Sequence, residues 1–510
     1  MNKAWSAFFV YLLLAIFCSC ATEDPAYTAG KQLALNYCAN CHAFPEPELL
    51  TRELWANEIL PKMGAYFGHY GQHGREYYLG NEQEQKHLMN LYPTEISLDS
   101  SDWEGIQKFY LDFAATNLEP EKVVPQIMPM DRFKKLEIFD TSRHDQRAFT
   151  TMIKFNPDDR SLIVGGKATS GGSLIKFSAS GIPAVRWTTN STPSDWDNRN
   201  NFLLNMGSLS PSDDPRGELS LASRVAERAD TTFLTGLARP VQMIRVDLDL
   251  DGKEELIIAE YGNRVGKVSR YELTEEGLPV TKTDPRILAQ TPGAIRLRVA
   301  DLDSDGHDDL VVLFAQGDER VEVYYARPAG PERKRILRFP PSYGSSDIEI
   351  VDFDSDGDPD IVYTNGDNFD YRPVPKAYHG VRIFDNDGSG NFSEIWFMSI
   401  DGAYDVEVAD FDLDGDNDIA VIAYFVPPDR RRFASFIYLE QTARLKFNPT
   451  GFLKEPDQHY LVMTSGDVDG DGDTDLLLGN FSGYLPDTKS FNQKSAIRQP
   501  LYFKLENLTR

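Results

Sequence analysis

Five short acidic segments in one frame constrain this chain more than any other feature. The first carries Asp247, Asp249, Asp251, Gly252 and Glu255, and the second Asp301, Asp303, Asp305, Gly306 and Asp309. Three more follow at Asp352, Asp354, Asp356, Gly357 and Asp360, at Asp410, Asp412, Asp414, Gly415 and Asp418, and at Asp467, Asp469, Asp471, Gly472 and Asp475. Apolar or alternating stretches flank each copy, such as 242–246 before the first and 256–259 after it, so the unit reads strand, tight loop, strand. Carboxylates at the first, third and fifth positions alternate inward, and glycine at the sixth permits the sharp turn. With the carbonyl at the seventh position and the acid at the ninth, they make the oxygen cage a calcium ion requires. The twelfth-position glutamate and exiting helix of an EF-hand are missing; a strand follows instead. A polar turn explains one such copy, not five in the same frame. Four acids in each of five loops place twenty of the 79 acidic residues here. Packed this closely they repel unless a cation fills them. About five calcium ions are expected, in a structural role, moving the formal charge from −27 to −17.

The copies begin at 247, 301, 352, 410 and 467, in steps of 54, 51, 58 and 57. A period in the fifties with several short strands per unit predicts propeller blades. Two degenerate blades precede the acidic ones. One runs through 151–155, a turn at 156–160, then 161–165 and 173–177; the next includes 202–206 and 217–221. Seven blades over 131–510 give about 54 residues each, matching the step. The last blade is short of a strand, and 134–139 is the expected donor that closes the ring and leaves no free sheet edge.

A second motif lies near the other end: Cys38, Cys41 and His42 in a C-x-x-C-H run. Two thiols at this spacing add across the vinyl groups of a haem, and the adjacent histidine reaches the iron. A zinc knuckle wants a second Cys or Cys/His pair, and the other two cysteines, Cys18 and Cys20, fall in the leader. A redox dithiol normally follows a strand, whereas 27–36 reads as a helix. One covalent haem c is expected, held by Cys38, Cys41 and His42, with Met63 as the sixth iron ligand. Met89, and His69 or His73, are the alternatives. A helix over 102–113 closes this segment, and 120–129 is punctuated by prolines.

The first residues read as a leader. Lys3 precedes an apolar run over 5–17, too short to span a bilayer with margin. Phe17, Cys18, Ser19, Cys20 and Ala21 follow, resembling a lipobox with Cys20 as the acylated residue. Cleavage after Ser19 is expected, though Phe17 is a poor match at its position, and an ordinary secretory cut nearby is the rival. No cysteine is then left for a disulfide, so stability must come from packing and metal. The net charge of −27 argues against nucleic acid and against adsorption to anionic membranes.

These motifs together resemble bacterial lipoproteins that join a c-type cytochrome to FG-GAP (VCBS-type) repeats; the 237–241 stretch before the first loop is also typical of the group. The resemblance implies a signal peptide over 1–19, a small all-α cytochrome c domain over 20–120, a linker over 121–130 and an all-β, seven-bladed propeller over 131–510. It implies a lipid anchor in the envelope of a Gram-negative bacterium. It is weaker for function, because such propellers serve adhesion, scaffolding and enzymes alike. The sequence has no Rossmann fingerprint, no Ser-His-Asp signature and no second cofactor motif. His144, His307, His379 and His459 are scattered, and His307 lies inside a calcium loop. Electron transfer to a redox partner protein is the expected function. The alternatives are a haem-coupled oxidoreductase with a substrate site, possibly for a sugar, on the propeller, and a binding or adhesion protein.

Overall fold

The computed structural model describes residues 24–118, 127–140, 148–168, 171–222, 231–282, 284–368, 374–425, 435–452, 459–481 and 498–509. Residues 1–23 with Cys20, residues 119–126, which include the first part of the expected linker, and His144 lie outside them.

Seven antiparallel sheets form a ring. Blades 1 to 7 occupy 150–189, 193–237, 240–289, 294–338, 345–399, 403–451 and 460–507. In the acidic blades the second strand is apolar along most of its length because it is buried on both sides. Glu255–Glu260, Asp309–Phe314, Asp360–Asn365, Asp418–Ala423 and Asp475–Asn480 are buried at every position. The fourth strand faces solvent and turns polar, as in Glu332–Arg338. Blade 7 takes its fourth strand from Phe133–Ile138, antiparallel to Tyr502–Asn507, so the expected closure is found. The two degenerate blades also fall where the sequence places them.

One boundary differs. Met128–Pro129 pairs in parallel with Thr450 and Gly451 as a fifth strand on blade 6, and Ile127 packs on the adjoining core. The propeller therefore takes up chain that reads, from its prolines, as the end of a linker. A proline can occupy such an edge because its missing N–H faces away from the ladder.

Polar side chains staple neighbouring blades at the axis. The third residue of one innermost strand accepts a backbone N–H from the next: Asp195 from Met243 at 2.8 Å, Gln242 from Leu297 at 2.7 Å, Asp347 from Val406 at 3.3 Å and Asp405 from Met463 at 3.0 Å. Each pairing satisfies a buried group that would otherwise cost about 1–3 kcal/mol.

The N-terminal residues form a small helical domain. Pro25–Cys38 crosses Ser100–Phe113 at close range, because a Cβ on Gly30 would sit 2.7 Å from Phe109 and one on Gly105 2.8 Å from Leu33. The domain rests on the connections between second and third strands. Glu84 accepts from Ser212 Oγ at 3.1 Å and Asp213 N at 2.9 Å in blade 2, and Tyr378 of blade 5 donates to the Leu49 carbonyl at 3.1 Å. Arg264 of blade 3 donates to the Tyr78 carbonyl and lies over the Tyr92 ring. The acidic loops join first to second strands, so the helical domain and the loops occupy opposite faces of the ring. Among the described residues no helix is long and apolar enough to cross a membrane.

Candidate functional site

Four of the five acidic loops share one turn geometry, and the fifth varies it. The first aspartate caps the turn: Asp247 accepts from Asp251 N at 3.2 Å and Gly252 N at 2.9 Å, and Asp301, Asp352 and Asp410 repeat the pair. In the fifth copy Asp467 takes Gly470 N and Asp471 N instead. The fifth aspartate accepts the seventh residue's N–H, as in His307 N to Asp305 at 3.0 Å. Positions four and six turn left-handed. The fourth is Leu250, Ser304, Ser355 or Leu413 with φ of 55–62°, and Gly470 in the last copy; the sixth is always glycine. Carboxylate oxygens of Asp247, Asp249, Asp251 and Glu255 converge within 4.8 Å of one another. So do those of Asp301, Asp303 and Asp309, of Asp352, Asp354 and Asp356, of Asp410, Asp412 and Asp418, and of Asp467, Asp469 and Asp471. Asp305, Asp360, Asp414 and Asp475 stand outside these convergent sets.

The ninth acid has a second task that its spacing does not reveal. Its carboxyl is buried and accepts the N–H of the loop's second residue: Glu255 from Leu248, Asp309 from Leu302, Asp360 from Phe353, Asp418 from Phe411 and Asp475 from Val468. In four copies the other oxygen takes an N–H from the third strand or its end, as Asp360 does from Asn386 at 2.9 Å. Each third-position aspartate also meets a basic side chain: Asp249 with Arg270, Asp303 with Arg327, Asp354 with Arg444, Asp412 with Arg132 and Asp469 with Lys504. The donor set is all oxygen, hard and anionic, and suits a calcium ion.

In the helical domain, Cys38 ends the first helix and Cys41 follows in a turn; both thiols are free. Burial, then the neighbouring Cys41, pushes the Cys38 thiol up to about 11, the opposite of the lowered value a redox dithiol needs. His42 Nδ1 bonds the Ala43 carbonyl at 2.8 Å, which leaves Nε2 for another partner. Burial holds the ring below its usual value and hence neutral, the form that binds a metal. Cys38 and Met63 belong to one apolar cluster with Phe44 and Phe67. The alternatives to Met63 sit differently. Met89 is 54% exposed, His69 bonds the Leu98 carbonyl at 2.8 Å and stacks on Trp103, and His73 is exposed beside Tyr77. The charges of Asp318 and Arg338 in blade 4 act on His42 in opposite directions.

A cavity of about 720 Å³ occupies the channel and reaches the face that carries the helical domain. Deep in it Arg296 donates to Asp347 at 2.7 Å, and Arg298 to Asp347 at 3.1 Å and Glu349 at 2.6 Å. Asp405 and Glu407 complete the group, so four carboxyls face two guanidiniums. Burial and neighbouring carboxylates drive Asp405 well above its usual range and Glu407 to about 8. Burial also raises Asp347, but the two arginines overcome it and keep that carboxyl low. Sequence reading missed this network. Its signal is a charged pair two residues apart in three successive innermost strands, at the steps of 51 and 58 seen between their loops.

Residues 247–312 and 301–363 match the FG-GAP-like repeat family, so FG-GAP-like repeats lie on a seven-bladed propeller. No curated protein matches the sequence. Solved structures that it resembles include a candidate 6-phosphogluconolactonase from Bacteroides fragilis, at 11% identity and a TM-score of 0.42 over 62% of this chain and 93% of that one. The periplasmic gluconolactonase of Pseudomonas aeruginosa aligns at 16% identity and a TM-score of 0.40, over 58% of this chain and 86% of its own. The Dos1 propeller aligns at 8% identity and a TM-score of 0.39, over 71% and 78%.

Proposed function

We propose that the chain is an envelope-anchored monohaem c-type cytochrome that mediates electron transfer, with a calcium-stabilised propeller as its docking scaffold. The observation that carries this reading is the arrangement at the C-x-x-C-H run. Cys38 and Cys41 keep free thiols, and His42 commits Nδ1 to the Ala43 carbonyl while Nε2 stays available. That hydrogen bond fixes the imidazole tautomer and orientation, as outer partners of ligating histidines do. Met63 shares the apolar cluster of Cys38, which supports it as the second residue that would hold the iron. A bound haem supplies one-electron chemistry, and the aromatic shell around Cys38 keeps its surroundings apolar. The five loops each take one calcium, on the face away from the haem motif.

The partner in this reading is a redox protein of the cell envelope, and membrane attachment runs through a lipid on Cys20 alone. Cys20→Ser then moves the protein from the membrane fraction to the soluble one. A variant that stays membrane-bound with its leader removed is tethered some other way. The haem itself is tested by the absorption spectrum of the reduced pyridine adduct after expression with haem-attachment machinery.

A second reading, a haem-coupled oxidoreductase, gains support from the cavity, which reaches the same face as the helical domain. Electron flow from a ligand in the channel to the haem gives substrate-dependent reduction; a pure carrier is reduced only by its protein partner.

A further inference from the structure

Among the described residues, Arg239 in the channel has no carboxylate partner. Arg239 lines the cavity with φ of 48°, a left-handed conformation uncommon for a side-chain-bearing residue, and stands directly before Pro240, which disfavours helical backbone ahead of it. Its guanidinium lies over the Tyr261 ring, 5.1 Å from the centroid, and Nη2 donates to the Leu209 carbonyl at 3.0 Å. Nε is enclosed without a hydrogen bond. Among the described residues Nη1 has no partner and no carboxylate pairs with the group. Arg296 and Arg298, deeper in the channel, are both answered by Asp347. A strained backbone that holds an arginine at a cavity wall without its counter-charge marks a place prepared for an anion.

The rest of the mouth narrows the class. Tyr404 Oη and Gln316 Nε2 line the same cavity and make no hydrogen bond to described residues, while Gln316 Oε1 is fixed by Tyr261 at 3.0 Å. Phe149, Tyr424, Phe425 and Phe481 pack together as an aromatic wall on which the C–H face of a sugar ring can lie. The carboxylates of Asp195 and Asp367 also border the space and would repel a second negative charge.

We propose that the mouth of the channel binds a small hydroxylated monocarboxylate, with its carboxylate on Arg239 and its hydroxyls on Tyr404 and Gln316. The site goes beyond the electron-transfer reading and needs neither Cys38 nor His42, so it stands or falls independently of the haem. The probes are gluconate, glucuronate and neutral glucose, titrated calorimetrically into the full-length protein at saturating calcium. Expected is binding of at least one acid about tenfold or more tighter than glucose, a ratio reported by the wild type alone. Arg239→Gln removes that advantage with an unchanged melting temperature, and Arg239→Lys keeps part of it. Tyr404→Phe weakens the acid without abolishing its preference. The proposal is overturned if neither acid binds at up to about 10 mM, if acid and glucose bind the wild type alike, or if a folded Arg239→Gln protein keeps the preference.

Discussion

Phe133 stands opposite Asn507 in the outermost strand pair of blade 7, so the ring is closed by chain that precedes blade 1. The Phe133 ring is 4% exposed and meets Phe411, Phe436 and Tyr438 edge-on, which ties the closing strand to blade 6 as well. Phe133→Ala is expected to cost about 3–5 kcal/mol by the usual cavity and transfer terms. Denaturant unfolding checks this. A loss under about 1 kcal/mol would mean that the seam carries little of the stability.

Calcium is expected to hold the opposite face of the ring. Metal analysis should return about five calcium ions per chain, and excess chelator should lower the melting temperature markedly, since a ligand that binds only the native state stabilises it by mass action. Asp354→Ala should weaken blade 5 and leave the haem spectrum alone. A melting curve unmoved by chelator contradicts a structural role.

Much of this was legible before any fold was seen. The frame of Asp247, Asp301, Asp352, Asp410 and Asp467 fixes where strands stop and restart, because a turn with two left-handed positions cannot sit inside a ladder. From that step the blade count and the closing strand follow. The channel was not legible. Asp347 and Asp405 read as ordinary alternating polar residues of half-buried strands, and only the ring's curvature turns them toward one axis. Nor does spacing show that Glu255 and Asp309 spend their oxygens on backbone N–H groups, or that Met128 and Pro129 join blade 6. The C-x-x-C-H run is local, five residues long, and needs no fold to be read. How its domain seats on the propeller depends on contacts far apart in sequence, such as Tyr378 with Leu49 and Arg264 with Tyr78.

Stability should fall as the solution becomes alkaline. Glu407 is raised to about 8 in the fold by burial, then Glu349, and it also faces Arg298, Asp347 and the Ser465 hydroxyl, which donates at 2.6 Å. A carboxyl with a folded value above its unfolded one binds more protons in the native state. Its contribution is full below the unfolded value and is lost as pH rises through the folded one. The melting temperature should therefore decline between about pH 5 and 9, and Glu407→Gln should flatten that decline. A Gln variant with the wild-type slope assigns the effect elsewhere.

Met63→Ala tests the sixth ligand. With a haem bound, the Met63 thioether would serve as an iron ligand beside His42 and would favour the ferrous state. The variant should lose the weak near-infrared sulfur-to-iron band of the oxidised protein, shift to lower potential and bind carbon monoxide when reduced. An unchanged spectrum moves the ligand role to His69, His73 or Met89. Ready binding of carbon monoxide by the wild type instead favours a catalytic haem.

The most direct measurement is the intact mass and reduced pyridine spectrum of protein matured with haem-attachment machinery, alongside a Cys38→Ala/Cys41→Ala variant. Expected is a mass increased by one haem, a spectrum of haem joined through two thioethers, and neither in the variant. Protein from the same cells that carries no added mass, with both thiols still open to alkylation, would contradict the electron-transfer reading.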